Sequence, residues 1–286
     1  MKNFFVKSHG LGNDYIILNQ SEIEFDLTEK AIQRICDVHY GIGSDGILLK
    51  VPSLNANFGV RILNPDGSEA EKSGNGLRIF AKYLHDYKIA KSPVFTIETS
   101  GGLVQAEVTE EVNGKAQSVK VDMGNAIFNS PEIPVNCQNP ECIDETLHLE
   151  YKDYKVSCVS VGNPHCVILT DKLDEKEVKT FGPQIETNPM FPNRINVQFA
   201  KVLSPTEVEI MIWERGAGWT LSSGSSSCAV ASVLVKKGLV QPNLTVKMPG
   251  GNLKIEIDRS WYIRMTGAVR EIANGTLSNE LLEDIQ

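Results

Sequence analysis

Two four-residue runs place hydroxyls and backbone amides where a small anion could be held. They are Ser73-Gly74-Asn75-Gly76 and Ser223-Gly224-Ser225-Ser226, each followed by an apolar segment. The first amides of a helix have no partner within the helix and carry partial positive charge. Small residues ahead of them let a carboxylate or phosphate approach. A serine there also caps its own helix, which accounts for a single loop of this kind without any ligand. Two such loops, each preceded by a turn (Asn64-Pro65-Asp66-Gly67 and Glu214-Arg215-Gly216-Ala217), favour one ligand site shared by two equivalent halves.

Glu214 and Arg215 add a second chemistry. Adjacent opposite charges at a strand end suit the amino and carboxylate groups of an amino acid, although a solvated surface pair has the same sequence. His165 in "GNPH" and His9 in "KSHGLGND" read more simply as hydrogen-bonded structural histidines than as bases. Asp14 and Asp66 lie in turn sequences, where local backbone hydrogen bonding explains them. Neither the Walker A pattern nor the Rossmann glycine fingerprint is present, so no nucleotide is expected.

The elements that position these residues occur twice. Gly12-Asn13 matches Gly162-Asn163, Arg61–Ser68 matches Met211–Gly218, Ser73–Leu84 matches Ser223–Leu234, and "SGGLVQAEV" from Ser100 matches "GGNLKIEI" from Gly250, all at one offset of 150 residues (12 to 162). Four matches in one register mark two structurally equivalent halves. The expected first half is 1–116, with 266–286 packing back on it, and the second is 117–265. "VNGKAQS" supplies the boundary, with Asn113-Gly114 as its turn. Short β-rich runs dominate each half, with one apolar helix in each, Leu77–Leu84 and Cys228–Val235. A helix apolar on all faces must be buried. The fold class expected is α+β: two pseudo-symmetric halves, each a β-structure wrapped around a central helix. Thr28–Val38 and Leu173–Phe181 read as surface helices.

Composition removes several classes. The chain has 286 residues, 41% hydrophobic, with a net charge of −8. That charge argues against nucleic acid, which wants a basic face. No window of 18 apolar residues exists, so no membrane span is expected. The opening "MKNFFVKSHGLGNDY" does not read as a secretory signal, and the expected location is the cytoplasm. Six scattered cysteines in such a chain suggest neither disulfides nor a zinc site.

"GLGNDY", "NPDGSEAEKSGNGLR", "GNPH", "FPNRINVQF" and "ERGAGWTLSSGSSSCA" together resemble diaminopimelate epimerase, over nearly the whole chain and in the right order. The resemblance implies a cofactor-independent isomerase, a homodimer, that inverts the α-carbon of diaminopimelate between LL and meso forms for lysine and peptidoglycan precursor synthesis. It implies a small-molecule amino-acid substrate and no metal. Gly74, Asn75, Gly224 and Ser225 would meet the carboxylate at the reacting end. Asn64, Asn196, Glu214 and Arg215 would hold the distal amino-acid group, with Asn13 and Asn163 nearby. One base would remove the α-proton from one face and a conjugate acid would return a proton to the other.

The two catalytic positions of that family are cysteines, and here they are Ser73 and Ser223. A thiol can be tuned to work near neutral pH, whereas a serine hydroxyl needs a neighbouring base. Three readings follow. An engineered double Cys→Ser change accounts for those positions but not for Ser226 in place of a family glycine, nor for Trp219 and Ile79. A natural variant would use the serines on diaminopimelate or another amino acid, as an epimerase, racemase or dehydratase. A catalytically silent homologue would bind the amino acid and exchange no proton.

Overall fold

A computed structural model of the chain describes residues 2–285. The chain forms two compact units, one of residues up to Asp122 joined by those from Gly267 onward, the other of Met123–Thr266.

The first unit opens with β1 (Phe4–Gly10) and β2 (Asn13–Asn19), paired antiparallel. Helix α1 (Glu29–Cys36) then crosses to β3 (Ile47–Val51), which lies parallel to β2. A parallel pair cannot be joined by a tight turn, and the helix supplies the crossover. β4 (Phe58–Leu63) returns antiparallel and carries the two-residue β5 (Glu69–Ala70). Helix α2 (Gly74–Asp86) follows, then β6 (Val94–Thr99), parallel to β4, and the long antiparallel strands β7 (Gly102–Val112) and β8 (Lys115–Asn125). Asn113 and Gly114 join the last two at φ 52° and 75°, the left-handed pair that a tight hairpin requires.

The second unit repeats this order. β9 (Glu145–His148), β10 (Asp153–Ser160) and β11 (Pro164–Leu169) pair antiparallel in sequence. Helix α3 (Glu175–Glu186) crosses to β12 (Asn196–Ser204), parallel to β11, and β13 (Glu207–Glu214) returns antiparallel with β14 (Gly218–Thr220) on it. Helix α4 (Gly224–Lys236) leads to β15 (Asn243–Met248), parallel to β13, and to β16 (Gly251–Ile257) antiparallel to it. β17 (Tyr262–Ala268) ends the unit. β18 (Arg270–Thr276) and α5 (Asn279–Ile285) belong to the first unit, where β18 pairs with β1 from Phe4–Thr276 to His9–Arg270. The α+β expectation with two pseudo-symmetric halves is met, β10–β17 repeating the order of β1–β8 with β9 an added strand ahead of the repeat. The units divide inside β8, a few residues beyond the hairpin, because β7 and β8 form one continuous ladder through Ala106–Val121.

Helix α2 packs on β1, β2 and β7, and α4 on β10, β11, β12, β13, β15 and β16. Each is longer than its apolar run. α2 begins at Gly74 and α4 at Gly224, so the two Ser-Gly loops are the first helical turns themselves. The surface helices also shift. α1 is shorter than expected, ending at Cys36, and α3 continues past Phe181 through Gly182-Pro183. A Cβ at Gly182 would lie 2.6 Å from the Trp213 ring, so only glycine lets α3 sit so close to β13. β2, β3 and β12 carry no clean alternation of buried and exposed residues, which removes the period-two signal.

Candidate active site

In the first unit, Ser73 adopts the extended conformation of an N-cap (φ −138°, ψ 115°), and its Oγ accepts the Gly76 amide at 3.1 Å. A Cβ at Gly76 would stand 3.2 Å from that oxygen and 3.1 Å from Leu48 Cδ2, so a glycine there keeps the cap close. The same Oγ lies 3.3 Å from Tyr15 Oη. Gly74 and Asn75 follow on α2, and Asn75 Nδ2 donates to Asn13 Oδ1 at 3.1 Å. Asn13 Nδ2 in turn donates to Asp45 Oδ2 at 2.8 Å. Behind them lies the fully buried Arg78, whose NH2 donates to Asn75 Oδ1 at 2.5 Å and whose Nε reaches Gly74 O at 3.3 Å. Asn13, Asn75 and Gly74 are thus linked by hydrogen bonds, directly or through Arg78, and Ser73 precedes them as the cap. Asn64 sits apart from it, at the start of the 64–68 turn, with Nδ2 on Ser68 Oγ at 2.9 Å. Asp66 closes that turn, and the Ser68 hydroxyl and amide hold its carboxyl below the usual range.

In the second unit, Ser223 is the corresponding N-cap (φ −148°, ψ 125°). Its Oγ accepts the Ser226 amide at 3.4 Å and lies 3.4 Å from Ser225 Oγ. Its own amide points to Met248 Sδ at 3.4 Å. Asn163 Oδ1 is 2.9 Å from His165 Nε2. An amide oxygen can only accept, so that nitrogen carries the proton. His165 Nδ1 then accepts from Gln198 Nε2 at 3.0 Å, and the same amide donates to Ser226 Oγ at 3.0 Å. His165 is completely buried. Burial first, and the nearby positive charge of Arg215 after it, depress its pKa to about 3, so it is a neutral structural link rather than a base at neutral pH.

Asn196 Nδ2 donates to Pro164 O at 2.9 Å, and its Oδ1 accepts the Arg215 amide at 3.0 Å. Glu214 and Arg215 stand at the end of β13, with Arg215 NH1 on Asn193 O at 3.1 Å. Their turn is held by Glu186, a residue the sequence reading passes over. Its buried carboxylate accepts Trp213 Nε1 at 2.8 Å and the Gly216 amide at 2.9 Å, and pairs with Arg194. Tyr15, Asp45 and Gln198 are also missed by the sequence reading. Tyr15 and Gln198 lie within "GLGNDY" and "FPNRINVQF" without being singled out there, and Asp45 lies in none of the quoted stretches.

A model of the family described as diaminopimelate epimerase matches residues 5–129 and 157–272. The chain belongs to the diaminopimelate epimerase family. It is 47% identical over 278 residues to diaminopimelate epimerase 2 of Nostoc sp., covering 97% of this chain and 96% of that one. It is 40% identical over 279 residues to diaminopimelate epimerase of Acetivibrio thermocellus, covering 97% and 99%. Among solved structures, a probable proline racemase of Agrobacterium radiobacter superposes with a TM-score of 0.72 at 15% identity, over 96% of this chain and 93% of that one. That likeness bears on the fold alone. Membership in this isomerase family covers both capped loops, Ser73 and Ser223. Among the described residues no helix is long and apolar enough to cross a membrane.

Proposed function

We propose that the chain inverts an α-carbon of diaminopimelate, from LL to meso, by proton transfer without pyridoxal phosphate, in lysine and peptidoglycan precursor synthesis. The observation that carries this reading is the pair of serine-capped helix starts at equivalent positions of an epimerase-family chain. Ser73 and Ser223 stand in the two proton-transfer positions. The first amides of α2 and α4, at Gly74, Asn75, Gly224 and Ser225, hold the carboxylate of the reacting end and stabilise the negative charge that develops there. Glu214 and Arg215, fixed by Glu186 and Asn196, take the distal amino and carboxylate groups, with Asn64, Asn163 and Asn13 completing the set. The working protein is a cytoplasmic homodimer.

The experiment is incubation with LL-diaminopimelate in deuterated water, followed by NMR of the α-proton. Deuterium incorporation with appearance of the meso isomer is the expected result. Loss of water or ammonia instead of inversion makes the protein a lyase. A second reading, amino-acid binding without chemistry, is favoured by the neutral groups around Ser223 Oγ. Calorimetric binding without α-proton exchange selects it.

A further inference from the structure

Serine is a poor base unaided, and the two capping serines differ in what they touch. Ser73 Oγ lies 3.3 Å from the phenolic oxygen of Tyr15. Tyr15 is 6% exposed and sits on β2 opposite Ser8 of β1. Its ring is placed by Gly46, where a Cβ would come 2.8 Å from Tyr15 Cε1 and 2.5 Å from Leu63 O. Only a glycine there leaves room for the ring. The hydroxyl at its tip is thus delivered to Ser73 by the sheet and by the packing beneath it. An ordinary tyrosine titrates near pH 10, close to a thiol's range of about 8.5 and far below that of an aliphatic hydroxyl.

We infer that Tyr15 is a positioning residue that takes up and returns the Ser73 proton, giving this face of the reaction the titratable group that a serine alone lacks. The inference rests on the epimerase reading above. When this face acts as base, the α C–H bond breaks and its electron pair stays on the α-carbon. The released proton goes to Ser73 Oγ, and the proton Ser73 held goes to the Tyr15 phenolate. When it acts as acid, the phenol returns its proton to Ser73 Oγ as the Ser73 proton bonds to the carbanion. Nothing is oxidised or reduced, and no further reactant is needed.

Tyr15→Phe removes one oxygen and keeps the ring on Gly46. In deuterated water with LL-diaminopimelate, the expected outcome is a loss of α-proton exchange of about 10²-fold, within the usual range for a lost acid–base group. Calorimetric affinity for the amino acid stays unchanged. Incorporation of 3-fluorotyrosine at position 15, whose phenol is more acidic, moves the pH profile of exchange to lower pH. A residue that only packs would not move that profile. Wild-type exchange rates in Tyr15→Phe, or an unmoved profile with fluorotyrosine, overturn the inference and leave the epimerase reading standing. Binding with no exchange in the wild-type chain at any pH overturns both.

Discussion

The helix starts at Ser73 and Ser223 share a cap, a backbone conformation and a place in the chain order, yet their surroundings are opposite in kind. α2 carries buried cations: Arg78 against Asn75 and Gly74, and Lys82 paired with Asp86 at 2.7 Å. The positions of α4 equivalent to Arg78 and Lys82 are the buried, neutral Cys228 and Ser232, and the one equivalent to Asp86 is Lys236, which lies nearer the surface and pairs with Glu141 at 2.8 Å. Ser232 satisfies itself on Cys228 O at 2.7 Å, and Ser227 on Ser223 O at 2.9 Å. Beyond the backbone amide that each accepts, Ser73 meets a phenol, whereas Ser223 meets another serine hydroxyl. Duplication therefore preserves what backbone geometry demands and leaves free what the capping oxygen touches. The conserved part suits binding, which both halves need, and the divergent part bears on proton transfer, which the two faces need not perform alike.

The sharpest way to break this comparison is to remove the partner of Lys82 on α2 and the hydroxyl at the place on α4 that matches Lys82, Ser232. Asp86 is fully buried and also accepts the Ala116 amide at 2.8 Å. Asp86→Ala strands a buried Lys82 and is expected to cost about 3–5 kcal/mol. Ser232→Ala loses one local back-bond and is expected to cost about 1 kcal/mol or less. Urea unfolding of both variants measures the difference, and equal losses would show that the two interiors are not energetically distinct.

Acid should weaken the second unit through His165. Its pKa in the folded chain, about 3, lies below the ordinary 6.5. As pH falls through 6.5 the unfolded chain gains a proton that the folded chain refuses until about pH 3, so stability is lost across that window. The expected loss between pH 7 and pH 5 is roughly 2 kcal/mol, from about 1.4 kcal/mol per pH unit below 6.5. His165→Gln should flatten the slope, as read by urea midpoints at the two pH values.

Gly46→Ala probes the bed of Tyr15. The added methyl meets the backbone of Leu63, which cannot move aside as a side chain can. An overpacking loss of about 1–3 kcal/mol is expected in thermal melts. Effects as small as that of Ser232→Ala belong to the caps. Ser73→Ala and Ser223→Ala each forfeit one helix-end acceptor and should each cost about 1 kcal/mol. A larger loss at Ser73 than at Ser223 would show that the Tyr15 contact supports the fold as well as the chemistry.

Which parts of this were readable beforehand follows from the range of the forces involved. Gly12 and Gly162 in tight turns and the capping serines are local backbone requirements, so they recur at the same offset and announce the two halves, while Asn113-Gly114 marks a single hairpin. At the end of α4, Lys236-Lys237-Gly238 is a local stop signal of the same kind, and Gly238 takes φ 70°. Its counterpart Lys88 adopts φ 60° without being glycine, and no rule of local propensity marks it. The side-chain partners were hidden for the opposite reason. Tyr15 and Ser73 are 58 residues apart and Gln198 and Ser226 are 28 apart, so only the folded sheet brings them together. Arg78 and Lys82 broke the apolar pattern that sets helix bounds, because their partners lie within or beside the same helix.

The last strand has a further consequence for how the chain is made. β1 is bordered by β2 on one side and β18 on the other. During synthesis β2 follows within a few residues, whereas β18 emerges only after the whole of the second unit. An open sheet edge is a template for unwanted pairing, and domains fold as units while the chain lengthens. The growing polypeptide therefore carries an uncovered seam beside β1 while the whole of the second unit is made, and closes it only when β18 follows.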